Sequence, residues 1–375
     1  MRQLKTGHVD FRTDKARLVA HGERMTISVE RIELAPSYSV SRLTKGNWQL
    51  AARHGPVIDR AVAIAGMRRF VEAGITNFDC ADHDVGVEDL IGEFRRAHPD
   101  LARHLTIQTK LVPDRDVLRG IRRADIELIV DRARERLGQD TLDMIQFHWW
   151  DWSVPGHLES LGWLMDMRRE GKLRHIGVTN YDCAHLREAL DAGIAIVSHQ
   201  VQYSPLDARP ERGMVALCRR HAIGLQCYGT LAGGFLSDRW LGVPAPERPA
   251  DRSQTKYRLI IEEFGGWGAF QDLLAALSSV GRRHGVGIAA VALRYILDRP
   301  QVATAIVGAR TDAHLDALLT VETLRLDESD RAAITAATAR AAGPPGDCYS
   351  VERVFDGPHA SLNWMNQNLK GVGAR

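Results

Sequence analysis

Short apolar runs that stop abruptly at a polar or charged residue recur along this chain at regular intervals. The run from Ile75 to Phe78 ends in Asp79, Leu105 to Gln108 ends in Thr109-Lys110, and Met144 to Phe147 ends in His148. Further along, His175 to Val178 ends in Thr179-Asn180, Ile196 to Ser198 in His199-Gln200, Leu225 to Cys227 in Tyr228, and Thr304 to Val307 in Gly308-Ala309-Arg310. Arg42 to Trp48, closed by Gly46-Asn47-Trp48, is an earlier member and brings the series to eight. Between these runs the apolar spacing turns helical. Ile64, Met67 and Val71 share one face, Ile126, Ile129, Val130, Ala133 and Leu137 a second, and Leu158, Leu161 and Met165 a third.

Strands that alternate with helices pair in parallel, and eight such units close into a barrel. The predicted fold class is therefore α/β, a (β/α)8 TIM barrel with its polar strand ends gathered on one face. A doubly wound sheet is the weaker reading, because no GxGxxG follows an early strand. Residues 1–35 carry no sustained helical period, show one or two short strands between Met25 and Leu34, and are expected to precede the barrel as a cap. Residues 36–342 would form the barrel, and residues 343–375, with Pro344-Pro345 and the run Leu362 to Met365, a tail folding back over it. The one long departure from the repeat is Gly229 to Gly268, where Pro244, Pro246 and Pro249 break regular structure. Such a stretch is expected to be a lid or binding loop. Helices are predicted after it over Ala269 to His284, Ile288 to Leu297, onward from Asp312, and over Asp327 to Ala342.

Composition narrows the partners. The 49 basic and 47 acidic residues are interspersed, so no basic stripe points to nucleic acid and no polybasic cluster to a membrane surface. No apolar run approaches the roughly 20 residues of a membrane span, and residues 1–20 lack a secretory core, so a cytoplasmic location is expected. The five cysteines share no CxxC or zinc-ligand spacing and read as packing residues.

Asp79, Lys110 and His148 fall at three consecutive strand ends. A carboxylate that holds an ammonium beside an imidazole is suited to moving protons; the plain alternative is a buried ion pair next to a satisfied histidine. Asp79, Asp82, His83, Asp84 and His148 also offer ligands for a divalent metal, but Lys110 beside them would repel a cation, so no metal is expected.

The stretches Asn77-Phe78-Asp79-Cys80-Ala81-Asp82, Ile107-Gln108-Thr109-Lys110 and Leu142 to Trp149, together with Gly171 to Asn180 and Ala303 to Arg310, closely resemble the aldo-keto reductases. The likeness runs from about Val40 to Ala339 in order. It implies a barrel that binds NADP(H) across its carboxyl face and reduces carbonyls by hydride transfer, with a tyrosine as proton donor supported by an aspartate, a lysine and a histidine. Asp79, Lys110 and His148 match the supporting three. Thr179, Asn180 and Gln200 match the groups that hold the nicotinamide carboxamide, and Tyr228 the ring that stacks on it. Trp48 also falls beside the cofactor on this likeness. Gly229, Leu231 and Gly233 would follow the pyrophosphate, and Gly308, Arg310 and His314 the adenosine 2'-phosphate. The usual carboxamide side chains beyond Arg310 are replaced by His314 and Leu318, so NAD(H) stands beside NADP(H) as a possible cofactor.

Where the family carries its tyrosine this chain has Asp84. A carboxyl with a reference pKa near about 4 is ionised at neutral pH, unlike a phenol. Three outcomes follow. Hydride chemistry survives with His148 or a water as the acid, or runs toward oxidation with Asp84 as base. Alternatively, Asp84, Lys110 and His148 perform a non-redox elimination or isomerisation, as a lyase, dehydratase or isomerase does; or the chain binds NADP(H) without turnover. Trp48, Trp149, Trp150 and Trp152 near strand ends, with Trp267 on the long loop and Trp364 on the tail, favour a small, apolar or ring-containing substrate. Oligomeric state has no signature in the sequence.

Overall fold

The computed structural model describes residues 13–15, 29–52, 54–362 and 365. Three short strands, β1 (Thr13–Lys15), β2 (Glu30–Ala35) and β3 (Tyr38–Ser41), form an antiparallel sheet. Eight parallel strands follow: β4 (Leu43–Gly46), β5 (Asn77–Asp79), β6 (Thr106–Leu111), β7 (Leu142–Phe147), β8 (Leu173–Thr179), β9 (Ile196–Gln202), β10 (Gly224–Tyr228) and β11 (Val302–Gly308). Each pairs with the next and β11 returns to β4, closing a (β/α)8 TIM barrel. Its first strand is shorter than the Arg42 to Trp48 run, because Trp48–Leu50 turns into a 3-10 helix.

The small sheet packs on the amino-terminal end of the barrel. Ile32, Leu34, Tyr38 and Val40 form one buried cluster with Met144 and Ala303, near the beginnings of β7 and β11. A Cβ on Gly224, the first residue of β10, would lie 2.4 Å from a methyl of Leu34, so the sheet's close seating requires glycine there. Of the stretch Met25 to Leu34, residues 25–28 lie outside the described residues, and the strand observed is Glu30–Ala35.

Gly229 to Gly268 is less irregular than its prolines suggest. Beyond Pro249, Asp251 caps a thirteen-residue helix, Arg252–Phe264, by accepting from the Gln254 amide at 2.9 Å. The next helix begins at Gly266, so Trp267 is helical and packs on Phe235, Trp240 and Phe270. The segment from Asp312 becomes helical only over Leu315–Leu319, and the last long helix is Glu328–Thr338. No helix among the described residues is long and apolar enough to cross a membrane.

Residues 344–362 lie against the carboxyl face. Arg353 donates to the carbonyl oxygens of Trp149, Trp150 and Asn180, each of which follows β7 or β8. Glu352 receives two hydrogen bonds from Arg209, at 2.8 and 3.0 Å, and Arg252 donates to the Leu362 carbonyl.

Candidate active site

Parallel register brings Asp79, the last residue of β5, opposite Gln108 of β6, and Lys110 two residues further reaches back over it. Lys110 Nζ donates to Asp79 Oδ1 and Oδ2, at 2.8 and 2.7 Å, and to the Cys80 carbonyl at 3.1 Å. An ammonium has three N–H bonds, so these acceptors use its full donor capacity. Lys110 is thereby a fixed charge more than a proton source. Gln200 of β9 donates to the same carboxylate at 2.6 Å, which fixes the amide from the far side of the barrel.

His148 stands at the end of β7 with Nδ1 3.3 Å from the Thr179 carbonyl. A carbonyl oxygen only accepts, so Nδ1 carries the hydrogen and Nε2 presents a lone pair. That Nε2 is buried and has no hydrogen-bond partner among the described residues. Burial first, and the Arg353 charge second, push the imidazole well below its ordinary pKa. A neutral imidazole in this tautomer accepts a hydrogen from a ligand. It does not supply one, which removes His148 from the role of acid considered in the sequence.

The loop after β5 carries three ionisable residues in a row. Asp82 accepts from the Val112 amide at 2.9 Å and from the His83 amide at 2.7 Å. His83 Nδ1 lies 3.4 Å from Asp82 Oδ1. Asp84 is buried and lines the same cavity as Lys110 and His148. Burial pushes its carboxyl above the ordinary value while the charges of His83 and Lys110 pull it down, and Asp79 and Asp82 push it up.

The catalytic and cofactor candidates named from the sequence all line one cavity of about 970 Å³ on the carboxyl face. Its wall includes the Asp79, Lys110 and His148 cluster as well as Gly308, the last residue of β11, and Arg310 and His314 beyond it. Asn180 sits in the left-handed region at φ 60° and accepts from the Tyr228 hydroxyl at 2.8 Å, so its carbonyl end is committed. Asn180 Nδ2 and Gln200 Oε1 remain as the donor and acceptor that a carboxamide requires. Lys256 Nζ lies 4.7 Å from the Tyr228 ring centroid, occupying one side of that ring.

The glycines after Tyr228 answer to a neighbour as well as to any ligand. A Cβ on Gly229 would meet the Tyr257 hydroxyl at 2.5 Å, and one on Gly233 the Tyr257 ring at 2.8 Å. Tyr257 belongs to the Arg252–Phe264 helix, so the helix hidden in the long loop is what the glycines admit. At Gly308 the same place is filled by Gln49, 2.1 Å from a built Cβ. Arg310 donates to the Pro56 carbonyl.

Of the aromatics, Trp48 and Trp150 line the cavity. Trp149 is fully buried with its indole N–H shared between the carbonyls of Asp151 and Val154, and Trp152 stacks on His185 at 3.9 Å, so both are packing residues. Trp364 lies outside the described residues. Sequence reading missed Tyr349, which lines the cavity and meets the His148 ring edge-on at 5.6 Å. It also missed Arg252, Lys256 and Arg353. His83, which the sequence offers only as a metal ligand, lines the same cavity; among the described residues no group of three or more His, Cys, Asp or Glu could hold a metal ion.

The aldo/keto reductase family model matches residues 42–339, and the chain belongs to that family of oxidoreductases. Flagellar radial spoke protein 5 of Chlamydomonas reinhardtii is 30% identical over 206 residues, 47% of this chain and 39% of its own length. The NADH-specific methylglyoxal reductase of Escherichia coli K12 is 29% identical over 222 residues, 53% of this chain and 66% of its own. This chain thus spans less than two thirds of either relative. Aldo-keto reductase YhdN of Bacillus subtilis is 26% identical over 307 residues, covering 78% and 88%. Among solved structures, a thermostable aldo-keto reductase, Tm1743, superposes with a TM-score of 0.64 at 24% identity, over 80% of this chain and 96% of that one, and supports the fold.

Proposed function

We propose that the chain is an NADP(H)-dependent oxidoreductase that interconverts a carbonyl and an alcohol on a small, apolar or ring-containing molecule, with Asp84 where the family has its tyrosine. The observation that carries this reading is one cavity lined both by a proton-handling cluster and by an arginine after the last barrel strand. The residues suit a nicotinamide dinucleotide. Asn180 Nδ2 and Gln200 Oε1 would bind the carboxamide, and Arg310 is suited to the 2'-phosphate. When bound, the cofactor supplies or accepts hydride. Lys110 provides fixed positive charge near a developing alkoxide, His148 Nε2 accepts a hydrogen bond from the alcohol, and Trp48, Trp150 and Tyr349 keep water from the reacting carbon. The protein is proposed to work in the cytoplasm.

Consumption of NADPH against a panel of aromatic aldehydes and ketones tests this, with NADPH binding followed separately by fluorescence. Asp84→Tyr is expected to raise aldehyde reduction by about 10-fold to 100-fold, since a positioned general acid contributes about 100-fold to 10,000-fold. Binding without turnover in both proteins would sink the redox reading. A second reading has one observation in its favour. The raised carboxyl of Asp84 and the lone pair of His148 Nε2 form an acid and a base in one cavity, as a dehydratase or isomerase requires. Product formed without change in cofactor oxidation state would establish it.

A further inference from the structure

Reduction of a carbonyl needs one proton for each hydride, and three polar groups of this cavity are already committed elsewhere. The three N–H bonds of Lys110 go to Asp79 and Cys80. His148 presents a lone pair. The Tyr228 hydroxyl donates to Asn180. His83 differs from them: it lines the cavity, and about a quarter of its side chain, 26%, is exposed.

We propose that His83 is the catalytic proton donor of this site and that Asp82 is its positioning residue. The proposal rests on the redox reading above. Asp82 is 2% exposed at its side chain and is pinned by the amides of Val112 and His83. Its Oδ1 faces His83 Nδ1 at 3.4 Å, which turns that edge of the ring toward the carboxylate and leaves Nε2 as the edge for a ligand. The ionisable groups acting on the ring are Asp82, Asp84 and Lys110, and His148 feels its charge. Burial pushes the imidazole down, but the bond to Asp82 and the carboxylates of Asp84 and Asp82 outweigh it against Lys110, so it is held above its ordinary value.

Asp84 acquires a role of its own in this scheme, as the second carboxylate that keeps a proton on its neighbour; in Asp84→Tyr the introduced phenol takes over as donor from His83, so the gain expected above does not depend on that carboxylate. In the reduction direction a bound reduced nicotinamide would supply the hydride to the carbonyl carbon, and His83 the proton to its oxygen. The Nε2–H bond of His83 breaks, an O–H bond forms, and the N–H electron pair stays on Nε2 as neutral imidazole. Solvent at the exposed edge returns the proton. Oxidation runs the same transfers backward.

Proton and nitrogen NMR of the histidine rings in cofactor-free protein reads the first half of this. His83 is expected to titrate above the ordinary imidazole value and Asp82→Asn to lower it by about 1 pH unit. Kinetics reads the second half. His83→Gln is expected to cut kcat by about 100-fold to 10,000-fold with NADPH affinity within about twofold, and Asp82→Asn to move the alkaline limb of kcat by the shift seen in NMR. His83→Asn, which keeps a polar side chain, should lose kcat equally. If Tyr349→Phe or Asp84→Asn abolishes the alkaline limb while His83→Gln leaves it in place, the donor is one of those residues and the proposal is overturned. A wild type that consumes no NADPH with any carbonyl sinks this and the redox reading together. A wild type that turns over no faster than His83→Gln sinks this one alone.

Discussion

Replacing Glu352 with Gln should loosen the tail over the cavity before it weakens the barrel. Arg209, Asp207 and Glu352 have side chains 1%, 0% and 3% exposed, so their charges have no water to fall back on. Arg209 grips Glu352 through two parallel bonds of 2.8 and 3.0 Å, and Asp207 through Nε and Nη2 at 2.9 and 2.7 Å. Breaking a buried ion pair by removing one partner costs about 3–5 kcal/mol. Asp207 still neutralises Arg209 in the variant, which argues for the lower end, about 3 kcal/mol. Because Glu352 belongs to the tail, the loss is local and multiplies its open fraction by roughly 150-fold, a factor of ten for each 1.4 kcal/mol. Amide hydrogen exchange is the assay, comparing residues 348–354 with β6 and β7. The wild type should show the same loosening in acid. Burial pushes the Glu352 carboxyl up, but the charge and hydrogen bonds of Arg209 outweigh it and hold it below its ordinary value. Its contribution is therefore present above the unfolded glutamate pKa of about 4.3 and lost as pH falls through the folded value. Tail amides that exchange less than about fivefold faster in Glu352→Gln, or that accelerate only in step with the barrel, would refute the reasoning.

Three further outcomes are expected. Lys110→Met should lower carbonyl turnover by at least about 100-fold, since it removes the positive charge beside the reacting oxygen, and its apparent melting temperature should fall because Asp79 stays buried without its partner. Gly229→Ala should destabilise the fold by about 1–3 kcal/mol through the clash with Tyr257 and a left-handed φ of 71°, and the double variant with Tyr257→Ala should cost less than the two single changes added, measured by urea melts. Arg310→Ala should raise KM for NADPH by about 10-fold to 100-fold and leave KM for NADH nearly unchanged; an equal rise for both would remove Arg310 from the 2'-phosphate.

The barrel was legible because its strands are short runs that stop at a sharp boundary, with enough apolar positions to stand out although buried polar residues such as Gln108, Gln146 and Gln226 interrupt them. The convergence of Asp79, Lys110 and His148 followed from parallel register alone. What the sequence hid depends on contacts distant along the chain. Tyr257 fills the space of Gly229 and Gly233 only because the Arg252–Phe264 helix forms behind three prolines, and turn signals masked its helical period. Tyr349 reaches His148 across two hundred residues, held by a positive φ of 61°, and nothing in its local pattern announces the bend. The tautomer of His148 depends on a carbonyl of β8, and the state of His83 on three neighbouring charges; neither is a property of spacing.

The two described ends of the chain have unequal standing for anyone who handles the protein. The small antiparallel sheet sits across the barrel from the chemistry, separated by strands of up to seven residues, roughly 23 Å. Leu362 forms part of the cavity wall and Met365 accepts from the Arg115 amide. A fluorescent reporter placed on the β2–β3 turn would report from the side away from the chemistry, whereas one placed beside Leu362 would stand at the cavity wall itself.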